Sequence, residues 1–186
     1  MKKISILVLF LFSTLSFISQ ISSTDTIHWS AGRLLTLNDF KGDVIDSLNV
    51  GSVCVIEILA SEKKGSRFSG TTTYVVTVFD WRNSWIKPKN ESDMYLKYCQ
   101  VMFDIGELYS RKLRKSIKEA KLDPYPVSFE EKYKAAKIGL ADRIMHFQKE
   151  SKYGAYNLAI NSWAENIKTE LSDLIAFKQE TPKSSK

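Results

Sequence analysis

Few side chains in this chain can do covalent or metal chemistry, and their spacing limits what that chemistry can be. Cys54 and Cys99 are its two cysteines, His28 and His146 its two histidines. A thiol nucleophile needs a base beside it, so Cys99 with His28 or His146 is the arrangement to consider for covalent catalysis. Position 99 falls in the middle of a helical pattern, where no helix N-terminus lowers a thiol pKa. A zinc centre needs three or four clustered ligands, which favours structural roles for both histidines. Asp104 and Glu107 stand three apart on one helix. Without a metal or a base beside them, such carboxylates cap a helix or pair with neighbours. The cysteines either form a disulfide or remain two buried thiols, Cys54 lying in the apolar run Val53-Cys54-Val55-Ile56.

The elements that must position these groups follow a simple order. Residues 50–60 and 71–80 are rich in Val, Ile and Thr and read as an antiparallel strand pair, with turn chemistry at Lys63-Lys64-Gly65-Ser66 and Ser69-Gly70. Both faces of the second strand carry apolar groups, which predicts cover on both sides. After Pro88, Ser92 and Asp93 can cap a long amphipathic helix through Tyr95, Tyr98, Met102, Ile105, Leu108 and Leu113. Glu107 and Arg111 are spaced for a modest surface ion pair, about 0.3–0.5 kcal/mol. Pro124 and Pro126 break the chain. A second helix is predicted from Ser128 to about Phe147 and a third from about Tyr156 to Phe177. Strands first and helices after predict an α+β domain.

Ahead of that domain, Met1-Lys2-Lys3 precedes the apolar run Ile4–Phe12, which continues with interruptions to Ile18. This reads as a signal peptide over residues 1–23, cleaved near Ser22 or Ser23, and predicts a secreted or periplasmic protein. The domain then occupies 24–180 and a disordered tail 181–186. Later segments hold no stretch of the roughly 20 apolar residues that a membrane span needs. The net charge of +6 falls to +4 once Lys2 and Lys3 leave with a leader that carries no acid. The basic run Arg111, Lys112, Arg114, Lys115 and Lys118 has no interleaved aromatics, so it reads as a solvated helix face, with salt-dependent attachment to an envelope surface as its alternative and no nucleic-acid partner. Asn90-Glu91-Ser92 fits a glycosylation triplet and is assigned no role.

Several segments, in order, resemble a bacterial family of predicted secreted zinc-dependent proteases. The opening Trp29-Ser-Ala-Gly-Arg-Leu-Leu-Thr-Leu-Asn-Asp-Phe-Lys-Gly42 is similar to the family's start, through Trp29, Leu35, Thr36, Asp39, Phe40 and Gly42. Ser84-Trp85 matches a Ser-Trp pair. The run from Gln100 to Leu113 looks like the family's HEQxHFDIAELYARKL helix without a gap, and Tyr153-Gly154 with Trp163 resembles a downstream segment. The resemblance covers Trp29 to about Leu171 and implies a zincin-like metallopeptidase fold, with N-terminal antiparallel strands and about three helices.

It also implies what is missing. In a zincin helix two histidines four apart hold zinc and a neighbouring Glu activates water. Here Tyr98 and Met102 stand at the histidine positions, Cys99 at the Glu and Tyr153 at the third ligand. Tyr98, Met102 and Tyr153 are large enough to fill the emptied space with ring and thioether contacts. No cofactor is expected, zinc being the one the family would hold. The implied protein is a pseudoenzyme with a binding or structural role in the cell envelope, a peptide or protein occupying the former active-site cleft. The alternative is a hydrolase using unrecognised metal ligands or Cys99.

Overall fold

The computed structural model describes residues 25–65, 70–120 and 125–179. The predicted leader at 1–23 and tail at 181–186 lie outside these residues, as do Ser66, Ser69 and Pro124. A three-stranded antiparallel sheet, ordered β1-β3-β2, is built from Thr26–His28 (β1), Ser52–Lys64 (β2) and Thr71–Ile86 (β3). Three helices follow: Asp93–Ala120 (α1), Phe129–Glu150 (α2) and Asn157–Asp173 (α3). The α+β class and element order are those expected from the sequence. Among the described residues no helix is long and apolar enough to cross a membrane.

β1 is a strand that the sequence pattern does not announce. Three residues are too few for an alternation, and it exists by pairing Thr26, Ile27 and His28 with Asp80, Phe79 and Val78. β3 runs beyond the expected 71–80 as far as Ile86 because it straddles an irregularity. There the Asp80 carboxylate accepts the Arg82 and Asn83 amides, each at 3.0 Å, and the strand resumes with Trp85 opposite Val53.

α1 lies across one face of the sheet. Ser92 Oγ accepts the Tyr95 amide at its N-terminus, and the apolar face of Tyr98, Met102, Ile105 and Leu108 is fully buried. The approach is close: a Cβ on Gly106 would stand 2.6 Å from Thr77 Cγ2 and 2.7 Å from Ile56 Cγ2. A glycine in a helix interior costs about 1 kcal/mol against alanine, and here it lets the helix meet the sheet. α2 opens at Ser128 with a capping box, Ser128 Oγ taking the Glu131 amide at 3.2 Å while Glu131 takes the Ser128 amide at 3.1 Å. It ends at Glu150, three residues beyond the expected Phe147. α3 ends at Asp173, short of the expected Phe177, and Ile175–Phe177 continue as a 3-10 turn.

Two expectations about charge are corrected. Glu107 and Arg111 do not form a surface pair, since both are 2% exposed. The basic run is a solvated face at its lysines, Lys112, Lys115 and Lys118, but not at its arginines: Arg111 and Arg114 turn inward, Arg111 Nε donating to Glu107 at 2.9 Å and Arg114 gripping the same carboxylate at 3.1 and 3.2 Å. Charged positions 107, 111 and 114 recur at the three-and-four spacing of the buried stripe, so these side chains are drawn under the helix with it. Attachment to an envelope surface through this run therefore loses its two arginines.

Candidate functional site

Of the four positions carried over from the zinc family, Tyr98 and Met102 share Gln148 as a neighbour and Tyr153 lies near enough to raise the Tyr98 hydroxyl, whereas Cys99 points away to the sheet. Tyr98 and Met102 face α2, where the Tyr98 ring lies 5.2 Å from that of Phe147 and the Gln148 amide donates to the Met102 sulfur at 3.7 Å. Burial pushes the Tyr98 hydroxyl upward, only partly offset by a hydrogen bond with Gln148. Cys99 faces the sheet and is bonded to Cys54 in a disulfide that joins α1 to β2. Its sulfur is therefore no thiol, which removes the Cys99 nucleophile from consideration.

Tyr153 does not fill the space that the resemblance assigns to a metal, which corrects that expectation. It is 47% exposed, and Lys152, Tyr153 and Gly154 all have positive φ, at 50°, 54° and 94°. A Cβ at Gly154 would meet the Tyr95 ring at 2.8 Å, so the chain closes over Tyr95 and Tyr98 with backbone while the Tyr153 side chain turns outward. The zinc that the resemblance implies does not fit these residues. Tyr98 and Met102 are spent in packing, Cys99 is in a disulfide, and among the described residues no group of three or more His, Cys, Asp or Glu side chains is placed to hold a metal ion. His146 instead pairs with Glu150 at 3.0 Å while its ring meets the Trp163 edge; His28 sits on β1 opposite Val78.

A groove of about 760 Å³ does exist, on the other side of α1. Its α1 wall is Asp93, Lys97, Gln100, Asp104 and Arg111, with Leu96 and Val101 beside them. Met102 is roughly two and a half turns beyond Asp93 at ~3.6 residues per turn, so it points away from this wall. The groove thus lies nearly opposite the positions that the resemblance would make catalytic, where a cleft was expected. α3 supplies Ala164, Lys168 and Leu171, and residues 29–35 form the third side, where Leu34 is 68% exposed.

Polar contacts hold the three walls in place. Trp29 Nε1 donates to Asp104 Oδ1 at 2.8 Å, Gln100 Nε2 donates to the same oxygen at 3.0 Å, and Gln100 Oε1 accepts the Leu35 amide at 2.9 Å. Arg33 closes the end of the segment on Asp39 at 2.5 Å. On the α3 side, Arg111 donates to the Leu171 carbonyl. Trp29, Asp39, Asp104, Glu107 and Arg111, all within the stretches that resemble the protease family, thus serve as frame. Gln100 belongs to the family-like helix as well, yet nothing in its spacing announces that it pins Leu35.

Burial raises the Asp104 carboxyl, with Glu107 adding to the effect and the hydrogen bonds from Trp29 and Gln100, together with Arg111, opposing it. A carboxyl whose folded pKa lies above its unfolded value keeps its proton in the folded state where the unfolded chain has lost it. Stability from this group is present at low pH and is lost as pH rises through the folded value. Asp104→Asn keeps an oxygen for Trp29 and Gln100 and removes the titration. Urea midpoints measured from pH 4 to pH 8 should fall less steeply with rising pH in the variant, which should be at least as stable as the parent at pH 7; a steeper fall would show that the charged form is the stabilised one.

Comparison of the chain with family models, with curated proteins and with solved structures returns no match.

Proposed function

We propose that this chain is an exported, zincin-like pseudoenzyme that binds an apolar peptide segment in the groove between α1, α3 and residues 29–35. The observation that carries the reading is the groove itself. Its volume falls in the roughly 300–1,000 Å³ range of ligand sites, its walls are largely apolar, and a few fixed polar groups lie along its floor. Ligands need apolar contact for affinity and placed polar groups for orientation, and Trp29, Leu35 and Leu96 with Gln100 and Asp104 offer both.

Two further features support a binding role over hydrolysis. The positions that resemble zinc ligands are taken up by packing or turn outward, and the position that resembles the general base is half of a disulfide. A disulfide also belongs to an oxidising compartment, which agrees with export under the leader expected at 1–23. The resemblance to a secreted protease family then describes ancestry of the frame, and the fold alone does not bring the activity.

The test uses residues 24–186 and a panel of fluorescein-labelled apolar nonapeptides, read by anisotropy with and without a chelator. Saturable binding that the chelator leaves unchanged is expected. Leu34→Glu should weaken it by about tenfold, the worth of one leucine side chain leaving water. Chelator-sensitive cleavage of a peptide, or zinc recovered at one per chain, would favour the hydrolase and overturn this reading. Binding untouched by Leu34→Glu would move the site elsewhere.

A further inference from the structure

The loop between the groove's third wall and β2 carries apolar side chains into solvent. Val44, Ile45 and Leu48 are 36%, 49% and 42% exposed, within a run, residues 43–49, that is exposed throughout. Apolar side chains left in water forgo the main driving force of folding. Both feet of the loop are nevertheless tied down: the Lys41 and Gly42 amides donate to the Trp81 and Ser84 carbonyls, each at 2.9 Å, and the Lys87 amide donates to the Gly51 carbonyl at 2.8 Å. Lys87 also braces the loop from inside. The residue is 8% exposed, and its ammonium donates to the Leu48 carbonyl at 2.7 Å and the Asp46 carbonyl at 3.2 Å. A buried cation needs such acceptors, so the brace fixes the backbone at the tip while the apolar side chains stay outside.

Apolar groups fixed in the open mark a contact surface, and the charges beside these say what it meets. Asp43 and Asp46 flank the tip, both exposed and neither in an ion pair among the described residues. The complementary surface is therefore apolar and edged by cations. The groove of this same chain has that make-up: Leu34, Leu96 and Leu171 line it, with Lys97 on α1 and Lys168 on α3. Lys97 Nζ donates to the neutral Asn161 side chain at 2.6 Å, and Lys168 has a 3.9 Å contact with Glu165 in which the side chains are 79% and 74% exposed. A pair that open is worth little, which leaves both ammonium groups to a carboxylate. Asp93 and Glu165 also line the groove, so the loop's acids must seat at the lysines and away from these, which sets how the loop lies. Residues 36–50 contribute nothing to the walls, and the loop's feet are bonded to β3 and to Lys87 just beyond it, so a chain cannot fill its own groove with this loop.

We infer that the loop at residues 43–49 of one copy docks in the groove of a second copy, with Val44, Ile45 and Leu48 entering among the leucines and Asp43 and Asp46 facing Lys97 and Lys168. The second copy supplies the apolar segment that the proposed groove requires, and the inference rests on that reading. Loop and groove are different surfaces, so the contact is head-to-tail and either propagates as an open chain or closes into a ring. Lys87 favours the loop over a free peptide of the same sequence, because a backbone already held in shape has less freedom to lose on binding.

Sedimentation velocity on residues 24–186, which contain every described element, tests it from micromolar to near-millimolar protein. Concentration-dependent growth beyond the monomer is expected. Ile45→Asp spoils the tip and Leu34→Glu the groove, and each should weaken the association by about tenfold. These side chains are 49% and 68% exposed, so the changes spare the core. Asp46→Lys, which sets like charges against the rim, should weaken it by a similar factor. Mixing the first two variants is the decisive arm: Leu34→Glu keeps an intact loop and Ile45→Asp an intact groove, so together they should form a one-to-one complex that grows no further. A parent that stays monomeric while apolar nonapeptides still bind overturns this inference and leaves the groove reading standing, whereas loss of peptide binding as well overturns the reading beneath it. Association indifferent to any of the three single changes, or a mixture that forms no complex, also overturns the inference.

Discussion

Replacing Glu107 with glutamine is expected to lower the free energy of unfolding by about 3–5 kcal/mol, the cost of removing one partner from a buried ion pair. The carboxylate is 2% exposed and answers two arginines at once. Its Oε2 also accepts the Thr77 hydroxyl at 3.3 Å, and that hydroxyl is 2.6 Å from Ser110 Oγ. The arginines spend their remaining donors on backbone: Arg111 on Leu171, Arg114 on Val75 and Phe177. One carboxylate thus ties α1 to β3, to the end of α3 and to the last turn. Glutamine keeps the shape and one of the two accepting oxygens but leaves Arg111, itself 3% exposed at the side chain, without the carboxylate that its Nε binds and with Asp104 as its remaining acidic neighbour. Urea unfolding gives the answer. An unchanged slope with a lower midpoint is expected, and a loss under about 1 kcal/mol would mean that water reaches the arginines. Replacing Glu107 and Arg111 together by leucine and methionine should recover much of the loss, because the stranded charge goes with its partner.

That network also marks what a sequence can and cannot reveal here. α1 is legible because Tyr98, Met102, Ile105 and Leu108 repeat at helical spacing, and β2 and β3 because Val, Ile and Thr crowd two short runs. The same periodicity hides Glu107, Arg111 and Arg114: charged residues read as surface, and their coincidence with the buried stripe has meaning only once β3 and the C-terminal turn are seen to supply acceptors. β1 is illegible for a different reason, since Thr26–His28 becomes a strand through β3 alone. Packing at the positions that resemble zinc ligands can be read at Tyr98 and Met102, whose size and apolarity suit a core. It fails at Tyr153, where positive backbone angles at 152–154 decide the direction of the side chain. The groove depends on three segments far apart in the chain, and no spacing within any one of them points to Gln100 holding Leu35.

The disulfide carries the second large effect. Cys54 and Cys99 are equally readable in the sequence as a bridge or as two buried thiols, and the fold brings their Cα atoms to 6.1 Å and bonds them. The bridge closes a loop with a sequence separation of 45 that contains β2, β3 and the connection into α1. Restricting that loop in the unfolded chain is worth about 4 kcal/mol in the chain-entropy account and more commonly about 2–4 kcal/mol by measurement. Cys54→Ala with Cys99→Ala should therefore lower the unfolding free energy by about that amount, and a reductant should lower the urea midpoint of the parent and leave the double variant unmoved. The two effects differ in origin. Loss of Glu107 acts on the folded state by stranding charge, whereas loss of the bridge acts largely by freeing the unfolded chain, so the changes should be close to additive. A thiol titration in denaturant without reductant supplies the independent check: no free thiol is expected, and two per chain would sink both the bridge and the prediction built on it. The outcome bears on function as well. With the bridge intact, the position that resembles a catalytic glutamate is a cross-link holding α1 to the edge strand, so the helix is kept in place for the binding proposed at its groove face.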